Sequence, residues 1–313
     1  MISSSLSLYP LSVESLLSLI VFILASIFSF IIPGLVIIGK KSKLFSSVSW
    51  ITLATTVGLT IWTFQGFIFG YMHARWLTYV YILVMALVFW WSRRSDPKSV
   101  SFVQIGLVFS KVKAYLVRDV LAVCLATVGV AWQLVYVWSS GWLSNDGIKF
   151  WFINFHDGVM HVAFAQELVK NFPPMQPGAI GMPLTNYHYW SDLAVAEFSR
   201  IWGLSVMHLT FQYFPLLLSL LGVFLMYGLL RSLGGNRSTA RWGLFFYFFA
   251  GNLGWLFMLF MHRSFGESLP VIDHGLLLFS NTPQAFAKII FLSTVWLLHS
   301  WLYRKNYRHA MIA

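Results

Sequence analysis

Residues 13–39, VESLLSLIVFILASIFSFIIPGLVIIG, form an apolar stretch with a single charged residue, Glu14, near its start. A helix needs about 20 predominantly apolar residues to cross a bilayer, and runs of this length are rare in soluble proteins. Further stretches of this kind lie at about 48–70, 75–91, 119–139, 206–230, 242–262 and 284–303. The chain of 313 residues is 58% hydrophobic and only 10% charged, which a soluble core does not accommodate. We therefore predict an all-α polytopic membrane protein with about seven transmembrane helices.

The basic residues indicate how these helices are oriented. If the N-terminus lies outside, the inner segments contain 15 of the 21 basic residues. They are Lys40, Lys41, Lys43, Arg93, Arg94, Lys98, Lys111, Lys113, Arg118, Arg231, Arg237, Arg241, Arg304, Lys305 and Arg308. Because cytoplasmic loops are enriched in Lys and Arg, this topology is favoured and explains the net charge of +11 without a nucleic-acid partner. We predict a multi-pass protein of the plasma membrane, with the lipid bilayer as its first partner.

Acidic residues and histidines collect on the opposite, outer side, mainly in a long loop at about 140–205. Within it, residues 157–170 have partial helical periodicity, and prolines and glycines then break regular structure. Residues 185–202 restart as an amphipathic run with Ser191 as a candidate cap. We predict that the outer loop carries two interfacial amphipathic helices. The chain divides into an N-terminal three-span region, 1–118, with a basic inner-face segment, and a second membrane region, 119–313.

Residues 157–198, DGVMHVAFAQELVKNFPPMQPGAIGMPLTNYHYWSDLAVAEF, resemble the first outer loop of the membrane glycosyltransferases of the GT-C fold. The resemblance covers about residues 119–303. It implies transfer of a sugar from a polyprenyl-phosphate donor to an acceptor hydroxyl at the outer face. It also implies an acidic residue with a role in catalysis in this loop, which would be Asp157, with Asp146 as its competitor.

This chain departs from the GT-C pattern in two respects. GT-C enzymes commonly have neighbouring acids, whereas Asp146 and Asp157 are eleven positions apart. They also usually have more spans than the four that follow Lys113 here. The chain therefore fits a short family member, a truncated product, or one part of a split enzyme whose partner membrane subunit supplies further spans.

The chemistry of sugar transfer assigns catalytic roles within the loop. A carboxylate can take the proton of the acceptor hydroxyl, and Asp157 is the candidate base. By analogy with inverting glycosidases, a base on the face opposite the leaving group would invert the anomeric centre. His161, at i+4 from Asp157, can orient that carboxylate or bind the phosphate when protonated.

Other residues are candidates for binding the substrate. The aromatic side chain of Tyr187 and the neighbouring His188 can line a sugar site, and His156 adjoins the candidate base. The departing phosphate needs positive charge, for which we single out Lys288 and Arg263. Lys149, Arg200 and His262 are further cations on the outer side.

Each of these residues also has a purely structural interpretation. Asp157 can cap the helix that it begins, and Asp146 before Gly147 is typical of a turn. Tyr187 can anchor the loop at the headgroup level, and Lys288 can extend its ammonium group to the membrane surface. The two histidines around Asp157 are too small a set to predict a metal site; a divalent cation, Mg²⁺ or Mn²⁺, is compatible with phosphate chemistry but is not indicated.

The alternative to an enzyme is a non-catalytic transporter, a lipid-handling protein or a scaffold. A transporter predicts polar or broken residues in the middle of its spans. Such residues are few here, chiefly Gln65 and the threonines of the second span and Asn252 in the sixth. The enzyme is therefore the favoured interpretation.

Overall fold

The computed structural model describes residues 13–39, 46–95, 119–144, 147–179, 181–185, 187–250, 260–261, 279 and 282–304. Helices dominate this part of the chain. Four helices are long and apolar enough to cross a membrane: Glu14–Ile38, Ser47–Tyr71, Val206–Ser232 and Thr282–Leu302. Two shorter apolar helices are Leu77–Ser92 and Val120–Val135. The predicted class of an all-α membrane protein is confirmed at this level, while the number of seven spans stays a prediction.

The elements follow the order that the apolar stretches predict. Before the loop lie α1 (Val13–Ser26), a π-helical turn (Ile27–Ile31), α2 (Ile32–Ile38), α3 (Ser47–Tyr71), α4 (Leu77–Ser95) and α5 (Val120–Trp138). The loop contains β1 (Trp142–Ser144), β2 (Gly147–Lys149), a 3-10 turn (Phe152–Phe155), α6 (Asp157–Lys170) and α7 (Trp190–Trp202). The chain returns through α8 (Val206–His208), a second π-helical turn (Leu209–Tyr213), α9 (Phe214–Ser232), α10 (Arg237–Phe249) and α11 (Thr282–Arg304).

The first spanning helix packs antiparallel against α3 through two glycines. Gly34 lies against the backbone of Ala54, and Gly58 lies against the backbone of Phe30. A Cβ atom at either glycine would collide with the opposing carbonyl group, so the contact depends on the absence of a side chain. Small residues allow this close approach of backbones, which is typical of helix pairs in membranes.

The sixth apolar stretch was predicted as a span at 242–262, and the structure differs there. Helix α10 begins earlier, at Arg237, because the Asn236 side chain accepts a hydrogen bond from Thr239 N and caps its first turn. It ends at Phe249, since Ala250 takes an extended backbone conformation. The rest of the predicted stretch, apart from 260–261, lies outside the described residues.

Helix α7 differs from the prediction that both loop helices lie on the membrane surface. Helix α6 has the predicted bounds, but α7 begins at Trp190, and Ser191 lies inside it rather than at its cap. Residues 191–198 of α7 are all buried, because the helix packs between α3 and α6. An interfacial helix would keep one face in water, so α7 belongs to the core.

Contacts join the two predicted regions of the chain. Trp62 Nε1 of α3 donates a hydrogen bond to the Ala194 carbonyl of α7, at 3.3 Å. The turn between α3 and α4 reaches α7 as well, through Arg75 and Glu197. We use the name loop end for this end of the helix bundle. It contains the 72–76 turn, the β-hairpin and α6. Asp119 and Arg241 pair at the opposite end, where α5 and α10 begin.

Candidate functional site

Helix α6 places two of the predicted catalytic residues one turn apart. Asp157 is its first residue and His161 follows at i+4. The N-cap is His156, which makes no side-chain capping bond, so the alternative in which Asp157 is the N-cap is wrong. Gly158 lets this first turn approach Phe211, whose ring lies where a Cβ would be. The Asp157 carboxylate is therefore positioned by packing without being used as a helix cap.

His156 and Asp157 form an exposed pair. The distance from His156 Nδ1 to Asp157 Oδ1 is 2.7 Å, and the two side chains are 76% and 35% exposed. Exposed ion pairs contribute little to stability. The pair leaves the Asp157 carboxylate accessible from outside the helix bundle.

His161 is paired with Asp192 of α7, a residue that the sequence did not single out as a site residue. The distance from His161 Nδ1 to Asp192 Oδ1 is 2.9 Å, and both side chains are buried. The sequence predicted that His161 can orient Asp157 or bind the phosphate; the contact that its Nδ1 makes runs across two helices to Asp192. Asp157 still acts on His161 through its charge.

Burial and charge oppose each other in this pair. Burial lowers the pKa of His161, but the hydrogen bond and charge of Asp192, with the charge of Asp157, outweigh it and raise the pKa above its ordinary value. Burial also raises the pKa of the Asp192 carboxyl, against the effect of His161 and His188. Asp192 Oδ2 is buried and has no hydrogen-bond partner among the described residues. Asp192 therefore depends on His161 for compensation of its charge.

Tyr187 and His188 lie beside the pair, just before α7. The Tyr187 ring packs 4.4 Å from the Phe164 ring and stacks on His188 at 4.7 Å, measured between centroids. Burial, followed by the charges of Asp192 and Asp157, raises the pKa of Tyr187 to about 12. The phenol therefore remains protonated at neutral pH and can donate a hydrogen bond.

The titration of His161 predicts how stability depends on pH. The pKa of His161 is higher in the folded protein than in the unfolded chain, so the folded state binds this proton more tightly. Its contribution is fully present below the unfolded pKa, about 6.5, and is lost as pH rises through the folded pKa. We expect the melting temperature of wild type to fall across this window more than that of His161→Gln. Parallel melting curves of the two proteins against pH would contradict the assignment.

We call Asp157, His161, Tyr187, His188 and Asp192 the cluster. No described contact connects the remaining predicted site residues to it. Asp146 and Arg263 lie outside the described residues. The β-hairpin pairs Ser144 of β1 with Gly147 of β2. Lys288 lies half-buried near the start of α11. Arg200 binds Glu197 and is therefore engaged within the protein.

Glu197 is the centre of a buried ionic network that links α7 to the turn before α4. Arg75 contacts Glu197 Oε1 through Nε, at 2.8 Å, and also through Nη2. Arg200 Nη2 donates to Glu197 Oε2 at 2.5 Å and to the Arg75 carbonyl at 2.9 Å. Arg75 Nη1 reaches the Val169 carbonyl at the end of α6. The network fixes both loop helices relative to α3.

The polar residues in the middle of α3 are satisfied locally. The hydroxyls of Thr52, Thr56 and Thr63 each donate to the carbonyl four residues earlier. Gln65 donates to the Trp62 carbonyl and accepts from Thr78. The threonine hydroxyls are therefore satisfied within α3, and Gln65 joins α3 to α4 through Thr78.

Among the residues that the structure describes, no three His, Cys, Asp or Glu side chains come together as metal ligands. Comparison of the chain with protein-family models, curated proteins and solved structures gives no match. The resemblance of residues 157–198 to GT-C enzymes therefore remains a prediction from the sequence.

Proposed function

We propose that the protein is a membrane glycosyltransferase that moves a sugar from a polyprenyl phosphate to an acceptor hydroxyl. The observation that carries this proposal is the cluster of Asp157, His161, Tyr187, His188 and Asp192 at the loop end. Four of these five residues were candidates from the sequence alone. Their proximity to spanning helices supports a donor whose lipid stays in the bilayer.

The cluster contains groups suited to the steps of glycosyl transfer. Asp157, accessible at the start of α6, takes the proton of the acceptor hydroxyl. The acceptor oxygen then bonds to the anomeric carbon, and the bond from that carbon to the phosphate oxygen breaks. The protonated hydroxyl of Tyr187 offers a hydrogen-bond donor to the sugar, beside the stacked rings of Tyr187 and His188. Attack opposite the leaving group inverts the anomeric centre.

We further propose that seven spans place the loop end on the outer face of the plasma membrane. The basic inner segments support this orientation, as does the position of Arg241 at the opposite end from the cluster. The hydroxyls of the α3 threonines bond to carbonyls of their own helix, which supports the enzyme over a transporter, since a transporter is expected to use polar groups in its spans to bind its substrate.

Transfer by the purified protein tests the function directly. Wild type in proteoliposomes is supplied with radiolabelled polyprenyl-phosphate sugars and a crude membrane acceptor extract, and labelled product is counted against protein-free liposomes. We expect transfer from at least one lipid-linked donor. Transfer from soluble nucleotide sugars alone would contradict the donor class, and silence with every donor after a survey of acceptors would contradict the enzyme.

A further inference from the structure

Asp192 lies on a different helix from His161 and contacts the Nδ1 atom of its imidazole ring. When the Asp192 carboxylate is ionised it can only accept a hydrogen bond, and His161 Nδ1 then donates to Asp192 Oδ1 across the 2.9 Å contact. The rings and helices around the pair leave its side chains only 6% and 4% exposed. This bond fixes both the orientation of the imidazole and the nitrogen that carries the first proton.

We propose that Asp192 is a positioning residue that aims His161, so that Nε2–H of His161 donates its proton to the departing phosphate oxygen. The proposal rests on glycosyl transfer as the proposed function and assigns a general acid to it. His161 is then a catalytic residue, and Asp192 acts only through it.

The proposal assigns this role to the second nitrogen of His161. Nε2 lies across the ring from Nδ1, which contacts Asp192 Oδ1. The charges that act on His161 are those of Asp192 on α7 and Asp157 on its own helix, while His188 acts on Asp192. The two carboxylates favour the imidazolium, which is the form that can give a proton.

Two different residues then act as base and acid: Asp157 is the general base, and His161 is the general acid. The proton of the acceptor hydroxyl goes to Asp157, and the electron pair of the broken anomeric bond goes to the phosphate oxygen. That oxygen takes the proton from His161 Nε2. Asp157 afterwards gives its proton to water, to which it is accessible, and His161 regains one as the products leave. In acid–base catalysis, the environments of two titratable groups commonly differ, so that one group serves as the acid and the other as the base.

The test compares pH–rate profiles of wild type, Asp192→Asn and His161→Gln in the proteoliposome assay. Asparagine keeps the size of Asp192 but removes its charge, and Glu167→Gln, on the same helix as His161, serves as the matched control. We expect kcat/KM of wild type to fall at high pH as His161 loses its proton. In Asp192→Asn this fall moves to lower pH and the rate at neutral pH drops by roughly tenfold or more. In His161→Gln the fall is absent.

A titration of ¹³C-labelled histidines by NMR in lipid nanodiscs provides a measurement that does not need substrate. We expect the His161 midpoint to fall in Asp192→Asn, because burial then acts without the opposing carboxylate. An unchanged midpoint, or an Asp192→Asn enzyme with the wild-type high-pH limb, would overturn the proposal while leaving the transferase intact. A His161→Gln enzyme that retains this limb would also overturn it, even if Asp192→Asn does not fold. Wild type without any transfer would remove the proposed function itself.

Discussion

Replacing Glu197 by alanine is expected to lower the free energy of unfolding by about 3–5 kcal/mol. Glu197 is fully buried and neutralises two guanidinium groups, those of Arg75 and Arg200, which are themselves only 15% and 18% exposed. Without the carboxylate these cations stay close to each other in a site of low dielectric. Glu197→Gln should cost nearly as much, because an amide fills the space but supplies no charge. Gly66 packs against the Glu197 side chain, so the site has little room for rearrangement.

The measurement is unfolding by SDS titration in mixed micelles, followed by tryptophan fluorescence. Glu167→Ala is the matched control, since Glu167 pairs with Lys170 on α6, at 3.6 Å, with the Lys170 side chain 64% and the Glu167 side chain 23% exposed. An ion pair that is open to solvent on one side contributes less than about 1 kcal/mol. Equal losses for Glu197→Ala and Glu167→Ala would show that the buried network does not hold α7 in place.

The apolar pattern of the sequence predicted most of the helices, because length and hydrophobicity alone determine whether a helix suits a membrane. The stretch at 48–70 became Ser47–Tyr71, and the loop helix at 157–170 became Asp157–Lys170. The surface position predicted for α7 was wrong for a physical reason. Its polar residues Asp192 and Glu197 face partners within the protein, and the sequence pattern cannot distinguish a partner of this kind from water.

The sequence did not predict the contacts between site residues that lie far apart along the chain. Glu197 and Arg200 have the i,i+3 spacing of a helical ion pair, so their contact was readable. The contact between Arg75 and Glu197 joins residues 122 positions apart, and the contact between His161 and Asp192 joins residues 31 apart. No local periodicity encodes such separations. His161 was a candidate from the sequence and stays a prediction as a site residue, whereas its contact with Asp192 depends on the packing of α6 on α7.

Replacing Asp157 by asparagine is expected to reduce sugar transfer by roughly 10²–10⁴-fold, the usual contribution of a general base. Asparagine keeps the shape of the side chain and cannot accept the acceptor proton. Stability should change little, because Asp157 makes no capping bond and its salt bridge to His156 is exposed. The rate constant of transfer in proteoliposomes is measured together with the melting temperature, so that a loss of catalysis is separated from a loss of fold.

Two further variants serve as a control and as a test of the competing base. Glu167→Gln removes a carboxylate from the same helix and should transfer sugar at the wild-type rate, because Glu167 belongs to the surface pair with Lys170. Asp146→Asn tests the competing base near the β-hairpin. Loss of transfer in Asp146→Asn but not in Asp157→Asn would assign the base to Asp146. A fully active Asp157→Asn protein would leave Asp157 as an exposed partner of His156. It would move the search for the base to His161, which contacts Asp192 of α7.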